Sequence, residues 1–281
     1  MRQLAAALLG LLLAGCASLA PAPAADPAGS VVPATLALGD MPVAAQWYLP
    51  SGDATALLVL EHGFTRNCGQ LRGTSRQLMA AGLAVLCVEA PMAGGNPALA
   101  DALARRLAAA QAAPDGRALP SRIIVGGHSA GAAFAAALGA RLDELAPDRL
   151  AGALLFDPVA TVGFESQLRA VSAAGRRPVL AVLAPPHRCN AQSNALAALQ
   201  RLRAEALAAQ RDAFVGLRYA VGATHADIEG EDSDWLAALV CGVPQAAHTA
   251  RLRELAVDWA RELAHGRQPR PPAFDDALPI E

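Results

Sequence analysis

Residues 123–133 read Ile123-Ile124-Val125-Gly126-Gly127-His128-Ser129-Ala130-Gly131-Ala132-Ala133. A β-branched apolar run meets a glycine cluster that holds one serine, and an alanine-rich stretch follows at once. β-branched residues favour a strand, glycines a sharp turn and alanines a helix. The stretch therefore reads strand, tight bend, helix, with Ser129 at the bend. A serine so placed has a strained backbone, and Gly127 and Gly131 let strand and helix pass closely on either side of it. The bend lifts the hydroxyl above the end of the strand. It also aims the Ala130 N–H and the helix N-terminus at any negative charge that develops there. The plainer reading is a serine that only caps a helix. Partners found elsewhere in the chain weigh against it.

Working outward, apolar runs alternate with helical stretches. Strands are expected at residues 35–38, 43–49, 56–61, 83–88, 122–125, 151–156, 178–183 and 217–221. Helices are expected at 72–81, 98–112, 130–145, 167–174, 195–209, 234–239 and 249–263. Alternation of this kind implies an α/β fold, a mostly parallel sheet with helices on both faces. The first two strands have no helix between them, so an antiparallel edge is expected. No segment between consecutive strands is long enough for a lid domain, which points to an open site.

Gly127-His128-Ser129-Ala130-Gly131 fits the G-x-S-x-G nucleophile elbow. Together with the strand order, it resembles the α/β-hydrolase superfamily over about residues 34–264. The resemblance implies a Ser, acid, His order along the chain, with Ser129 as nucleophile. His225 follows the last expected strand, in a loop with Gly222, and is the natural base. His187, near the same sheet edge, is the second choice; His62, His128, His248 and His265 are poorer ones. The family's commonest position for the acid, after the strand at 178–183, is empty, because residues 184–204 contain no Asp or Glu. The preceding strand ends Phe156-Asp157-Pro158, so Asp157 is the expected acid. Asp227 and Glu229 are alternatives, though both stand close to His225 in sequence. The Asp-Pro context resembles chlorophyllase-like and platelet-activating-factor-acetylhydrolase-like esterases, and dienelactone-hydrolase-like substrates stay open beside them. Glu61-His62-Gly63-Phe64 resembles the family's His-Gly turn. It implies an oxyanion hole from the Phe64 and Ala130 N–H groups. Phe64 and Met92 are candidates for an apolar acyl pocket, with a core role equally open to them.

The composition fits this reading. The chain has 281 residues, 54% hydrophobic and 17% charged, enough for one sizeable core. A net charge of −2 gives no footprint for nucleic acid. Every one of the 23 basic residues is Arg, which reads as compositional bias. Arg2 precedes an apolar run over residues 4–13, too short for a mature span and suited to a signal sequence. It ends Leu13-Ala14-Gly15-Cys16, which closely resembles the lipobox of bacterial lipoproteins. That resemblance implies lipidation of Cys16. With Ala17 next, it also implies an outer-membrane location. The expected organisation is a signal peptide over 1–15, an Ala/Pro-rich tether over 16–33, the catalytic domain over 34–264 and a frayed, Pro-rich tail over 265–281.

Four further cysteines are left. Cys87 lies inside an apolar strand and reads as a buried thiol. Cys189 and Cys241 stand in loop-like settings and are the favoured pair, although four cysteines allow three pairings. His187-x-Cys189 has no second ligand pair, so no metal is expected. Gly94-Gly95-Asn96 lacks the spacing of a phosphate loop, and no cofactor is implied. The expected function is a serine hydrolase acting on a small-molecule carboxylic ester. The rival from another class is an inactive envelope lipoprotein that keeps the fold as a binding module.

Overall fold

Nine strands form one sheet in the order β1-β2-β4-β3-β5-β6-β7-β8-β9. The computed structural model describes residues 28–110, 112–272 and 274–281. The strands are β1 (Gly29–Leu38), β2 (Met41–Pro50), β3 (Leu57–Glu61), β4 (Ala84–Val88), β5 (Ile123–His128), β6 (Leu150–Phe156), β7 (Val179–Leu183), β8 (Gly216–Tyr219) and β9 (Ala277–Pro279). From β4 to β8 every neighbour is parallel, and both edges are antiparallel: β1 with β2 and β2 with β4, then β8 with β9. The helices are α1 (Arg72–Ala80), α2 (Pro97–Ala109), α3 (Ala130–Leu145), α4 (Phe164–Ser172), α5 (Leu196–Ala208), α6 (Trp235–Cys241) and α7 (Ala246–Ala264).

Side chains alternate across the sheet and build two cores. On β3, Leu57 and Val59 pack under α2 to α5, while Leu58 and Leu60 face α1 and α7. Burial on both faces explains why the central strands are continuous apolar runs without polar alternation. None of the described helices is long and apolar enough to cross a membrane.

Several expectations need correction. Gly29 to Pro33 belong to β1 and pair with the end of β2, so the folded domain starts earlier than residue 34. The tail is not frayed: β9 closes the sheet edge against β8, and Ala277 and Ile280 are buried. Four prolines over residues 265–281 hid this strand, because its pairing is antiparallel, short and at an edge, where proline is tolerated. The expected helix at 98–112 ends at Ala109, since Ala112 bridges to Ala118 across the Pro114-Asp115-Gly116 turn. Cys87 is bonded to Cys68 and is not a thiol. Cys16 and the expected signal peptide lie outside the described residues, as does the tether as far as residue 27.

Candidate active site

The ends of β5, β6 and β8 meet at one edge of the sheet, and the chemistry gathers there. Ser129, between β5 and α3, has φ 57° and ψ −122°. That bend is held from the side: Ser129 N–H donates to Phe156 O at 3.0 Å, and Ser129 O accepts from Val159 N at 3.1 Å. The two glycines are required by close approach. A Cβ on Gly127 would lie 2.2 Å from Gly131 O, and one on Gly131 would lie 2.4 Å from the carbonyl oxygens of Glu61 and His62. The elbow is therefore wedged between its own helix and the turn after β3.

Asp157 directly follows β6, at φ 42°, and is buried. Its Oδ2 lies 2.6 Å from His225 Nδ1, and its Oδ1 accepts from Ala184 N at 3.0 Å. A carboxylate so placed fixes the imidazole with the proton on Nδ1 and leaves Nε2 to act as a base. His225 and Ser129 line a single cavity of about 400 Å3. Phe64 and the α6 residues Leu236, Ala237 and Val240 line it as well. Met92, by contrast, lies fully in the core, away from this cavity.

The turn after β3 presses on the nucleophile, since a Cβ on Gly63 would lie 3.1 Å from Ser129 Cβ. Among the described residues, neither the Phe64 N–H nor the Ala130 N–H donates to a protein acceptor. His62 is not among the residues that line the cavity. It is buried, its Nδ1 is 2.9 Å from Gly63 O, and burial lowers its pKa. Beneath the turn, burial raises the pKa of Glu61 well above the usual carboxylate value. Glu61 accepts from Val88 N–H at 3.0 Å.

The remaining candidates have other partners. His187 caps the 3-10 turn at Arg188–Asn190, where its Nδ1 accepts from Cys189 N; Arg188 and Cys189 line the cavity, and His187 does not. Asp227 accepts from Thr224 N, Thr224 Oγ1 and Gln245 N, which ties the loop of His225 to the start of α7. Glu229 reaches the cavity wall but is held by Arg66: Arg66 Nε donates to its Oε1 at 2.8 Å, and Nη2 contacts Oε2. Cys189 and Cys241 are joined by a disulfide. His62, Cys68 and Glu89 bring donor atoms within 4.8 Å of one another, but Cys68 is in a disulfide and offers no thiolate.

Sequence reasoning placed His128 in the elbow but missed its role, and it missed Arg66 and Asn190 altogether. His128, buried beneath His225, has its Nε2 2.8 Å from the His225 carbonyl oxygen. The rings lie 4.6 Å apart, and burial, with His225 beside it, holds the His128 pKa well below the usual histidine value. A neutral His128 therefore donates to the loop that carries His225. Arg66 joins the turn after β3 to Glu229 and, at 2.7 Å, to Asp234, the N-cap of α6. Asn190 donates to both carboxylate oxygens of Asp157, at 3.2 and 3.1 Å. Each of these contacts spans more than thirty residues of chain, so no local pattern announces it.

No protein-family model matches the chain, and a search of curated proteins found no match. Solved structures do resemble it. A dienelactone hydrolase from Anabaena variabilis superposes with a TM-score of 0.60 at 14% identity, covering 84% of this chain and 98% of that one. A thermostable esterase from Pseudomonas putida gives 0.56 at 15% identity, covering 86% and 85%. The esterase domain of a Rhodothermus marinus protein gives 0.55 at 20% identity, covering 83% and 99%. At these identities the likeness is one of fold.

Proposed function

The chain has the α/β-hydrolase fold, and on that premise we propose that it is a serine hydrolase cleaving a small-molecule carboxylic ester through an acyl-enzyme. Ser129 Oγ attacks the ester carbonyl as His225 Nε2 takes its proton. Asp157 holds His225 by Nδ1–H and stabilises the imidazolium that forms. The Phe64 and Ala130 N–H groups receive the charge on the tetrahedral oxygen. Collapse expels the alcohol, which leaves with the proton from His225. Water, deprotonated by the same imidazole, then releases the acid and regenerates Ser129.

One observation carries this reading: His225 lines the same cavity as the strained Ser129 and is held from behind by Asp157 at 2.6 Å. A fold kept only for binding would have no use for a buried carboxylate–imidazole pair beside a serine at φ 57°. A fluorophosphonate is expected to label the protein once, at Ser129, and to fail on Ser129→Ala and His225→Ala. Labelling that survives Ser129→Ala, or silence of the native chain toward both fluorophosphonate and p-nitrophenyl acetate, defeats the assignment.

The proposal extends to the leader. Leu13-Ala14-Gly15-Cys16 supports lipidation of Cys16 and attachment to the outer membrane of a bacterial envelope. Cys16→Ser should move the protein from the membrane fraction to the soluble one; unchanged partition refutes the anchor.

A further inference from the structure

Asp157 stands after β6, and a fully buried amide from the loop after β7 grips it. Asn190 Nδ2 lies 3.2 Å from Oδ1 and 3.1 Å from Oδ2 of Asp157, and 2.9 Å from Pro185 O. Its own Oδ1 accepts from His187 N at 2.8 Å and from Ser193 N at 3.0 Å. The amide is thus oriented from both ends, with its donor group turned to the carboxylate. The backbone beyond it is forced to follow. Ala191, Gln192 and Ser193 run at φ 50°, 59° and 55°, three consecutive left-handed residues with no glycine among them. Strain of this kind persists only where surrounding contacts over-determine it, and it concentrates at functional positions. A second clasp ties the same loop to the chain after Asp157, where Asn194 exchanges hydrogen bonds with Ala160 N and O at 2.8 and 3.0 Å.

The residue before Asn190 is Cys189, bonded to Cys241 at the end of α6. That helix buries none of its residues, yet supplies one wall of the cavity. Its other attachments are polar and peripheral: Arg66 on Asp234 at its start, and Arg188 Nε and Nη2 on Val240 O at 3.2 and 3.1 Å. With no α6 residue fully buried and Ala237, Ala238, Val240 and Cys241 half-buried, the disulfide is the one covalent hold on this helix. One covalent link joins the support of Asp157 to the wall that bounds the substrate.

We propose that Asn190 is the positioning residue of Asp157, and that the Cys189–Cys241 disulfide latches this amide and α6 together, so that the aim of the acid and the width of the cavity depend on one bond. The inference builds on the triad assignment above. It explains how an acid placed after β6 is braced by the loop after β7. The amide donates to an anion already committed to His225, which fixes the carboxylate plane and keeps Oδ2 on Nδ1.

The test uses the full domain with Asn190→Leu, Asn190→Asp and the paired Cys189→Ala/Cys241→Ala variant. A paired variant is preferred to a reductant, which would also open Cys68–Cys87. Thermal melts first establish that each variant folds. Two readouts follow: steady-state hydrolysis of p-nitrophenyl esters of increasing chain length, and the low-field proton resonance of His225 Nδ1–H. Asn190→Leu is expected to lower kcat on the acetate ester about tenfold or more with KM little changed, and to shift or broaden the resonance. Asn190→Asp, which sets a like charge against Asp157, is expected to do worse. The paired alanine variant should change KM and chain-length preference together with kcat. Native kcat and an unmoved resonance in Asn190→Leu overturn the positioning role. Unchanged constants across the ester series in the paired variant overturn the latch. The resonance needs no turnover. If the native chain neither hydrolyses esters nor takes up fluorophosphonate while the resonance still answers to Asn190, then the catalytic reading fails and the positioning role stands.

Discussion

Asp157 and Glu61 are both buried carboxyls, and they differ in how many hydrogen-bond donors meet them. Asp157 receives hydrogen bonds from Ala184 N–H, the Asn190 amide and His225 Nδ1–H. Asp157→Asn would present an amide to His225 and favour the wrong tautomer, and kcat should fall about a thousandfold or more with the fold intact. A variant retaining native kcat would remove Asp157 from the mechanism. Glu61 receives one backbone donor, and burial pushes its pKa well above 4.5. The folded chain keeps this proton at pH values where the unfolded chain has released it. Stability from this group is therefore full below about pH 4.5 and is lost as pH rises toward the folded pKa. Glu61→Gln keeps an acceptor for Val88 N–H and removes that loss. Its urea midpoint relative to native should rise as pH increases above about 4.5, and a constant difference would refute the buried proton.

The elbow and the turn after β3 behave as one element. Gly131→Ala would drive a Cβ onto two backbone carbonyls that no side-chain rotation can clear. Overpacking of this kind costs about 1–3 kcal/mol. Here it would also separate Phe64 N–H from Ala130 N–H, so activity should drop more than stability. Equal losses in active-site titre and folded fraction would show a purely structural effect. Arg66 joins the same turn to the loop of His225. Its partner Glu229 is 2% exposed, so Arg66→Met leaves a buried charge without its counter-ion. A loss of about 3–5 kcal/mol is expected by denaturant titration. A loss within experimental scatter would mean that Glu229 is neutralised another way.

For the molecule as a whole, the two edges of the sheet matter most. Truncation after Pro272 removes β9 and the buried Ile280 and exposes the β8 edge. The expected cost is on the order of 3 kcal/mol in lost apolar burial, with a greater tendency to aggregate. A native melting temperature for the truncated chain would contradict it. At the other edge, Ala28 O accepts from Ser51 N beside the end of β2, where the parallel strands begin. The candidate site lies where they end. If Cys16 carries a lipid as proposed above, the chain leading from it enters the described domain at the edge remote from the cavity. Vesicle-bound protein should then hydrolyse a water-soluble ester as fast as the domain lacking residues 1–27. A marked loss on the vesicle would argue that the cavity faces lipid.

Alternation of apolar runs with helical stretches, and the glycine-flanked Ser129, are local signals, and from them the sequence by itself determined the parallel sheet and its double cover. The choice of Asp157 came from the chain read beside the family it resembles, through the lack of acidic residues at 184–204 where that family commonly carries its acid. What only the tertiary structure decided is which distant residues become neighbours. The Cys68–Cys87 bond, the Asn190 grip on Asp157, the His128 hydrogen bond beneath His225 and the pairing of β9 with β8 all join segments with no shared periodicity. Strand and helix propensities act within a few residues, whereas these contacts exist only after burial has brought sheet edges and loops together. The support of the candidate site is therefore long-range, while its chemical groups sit at strand ends that the chain marks out locally.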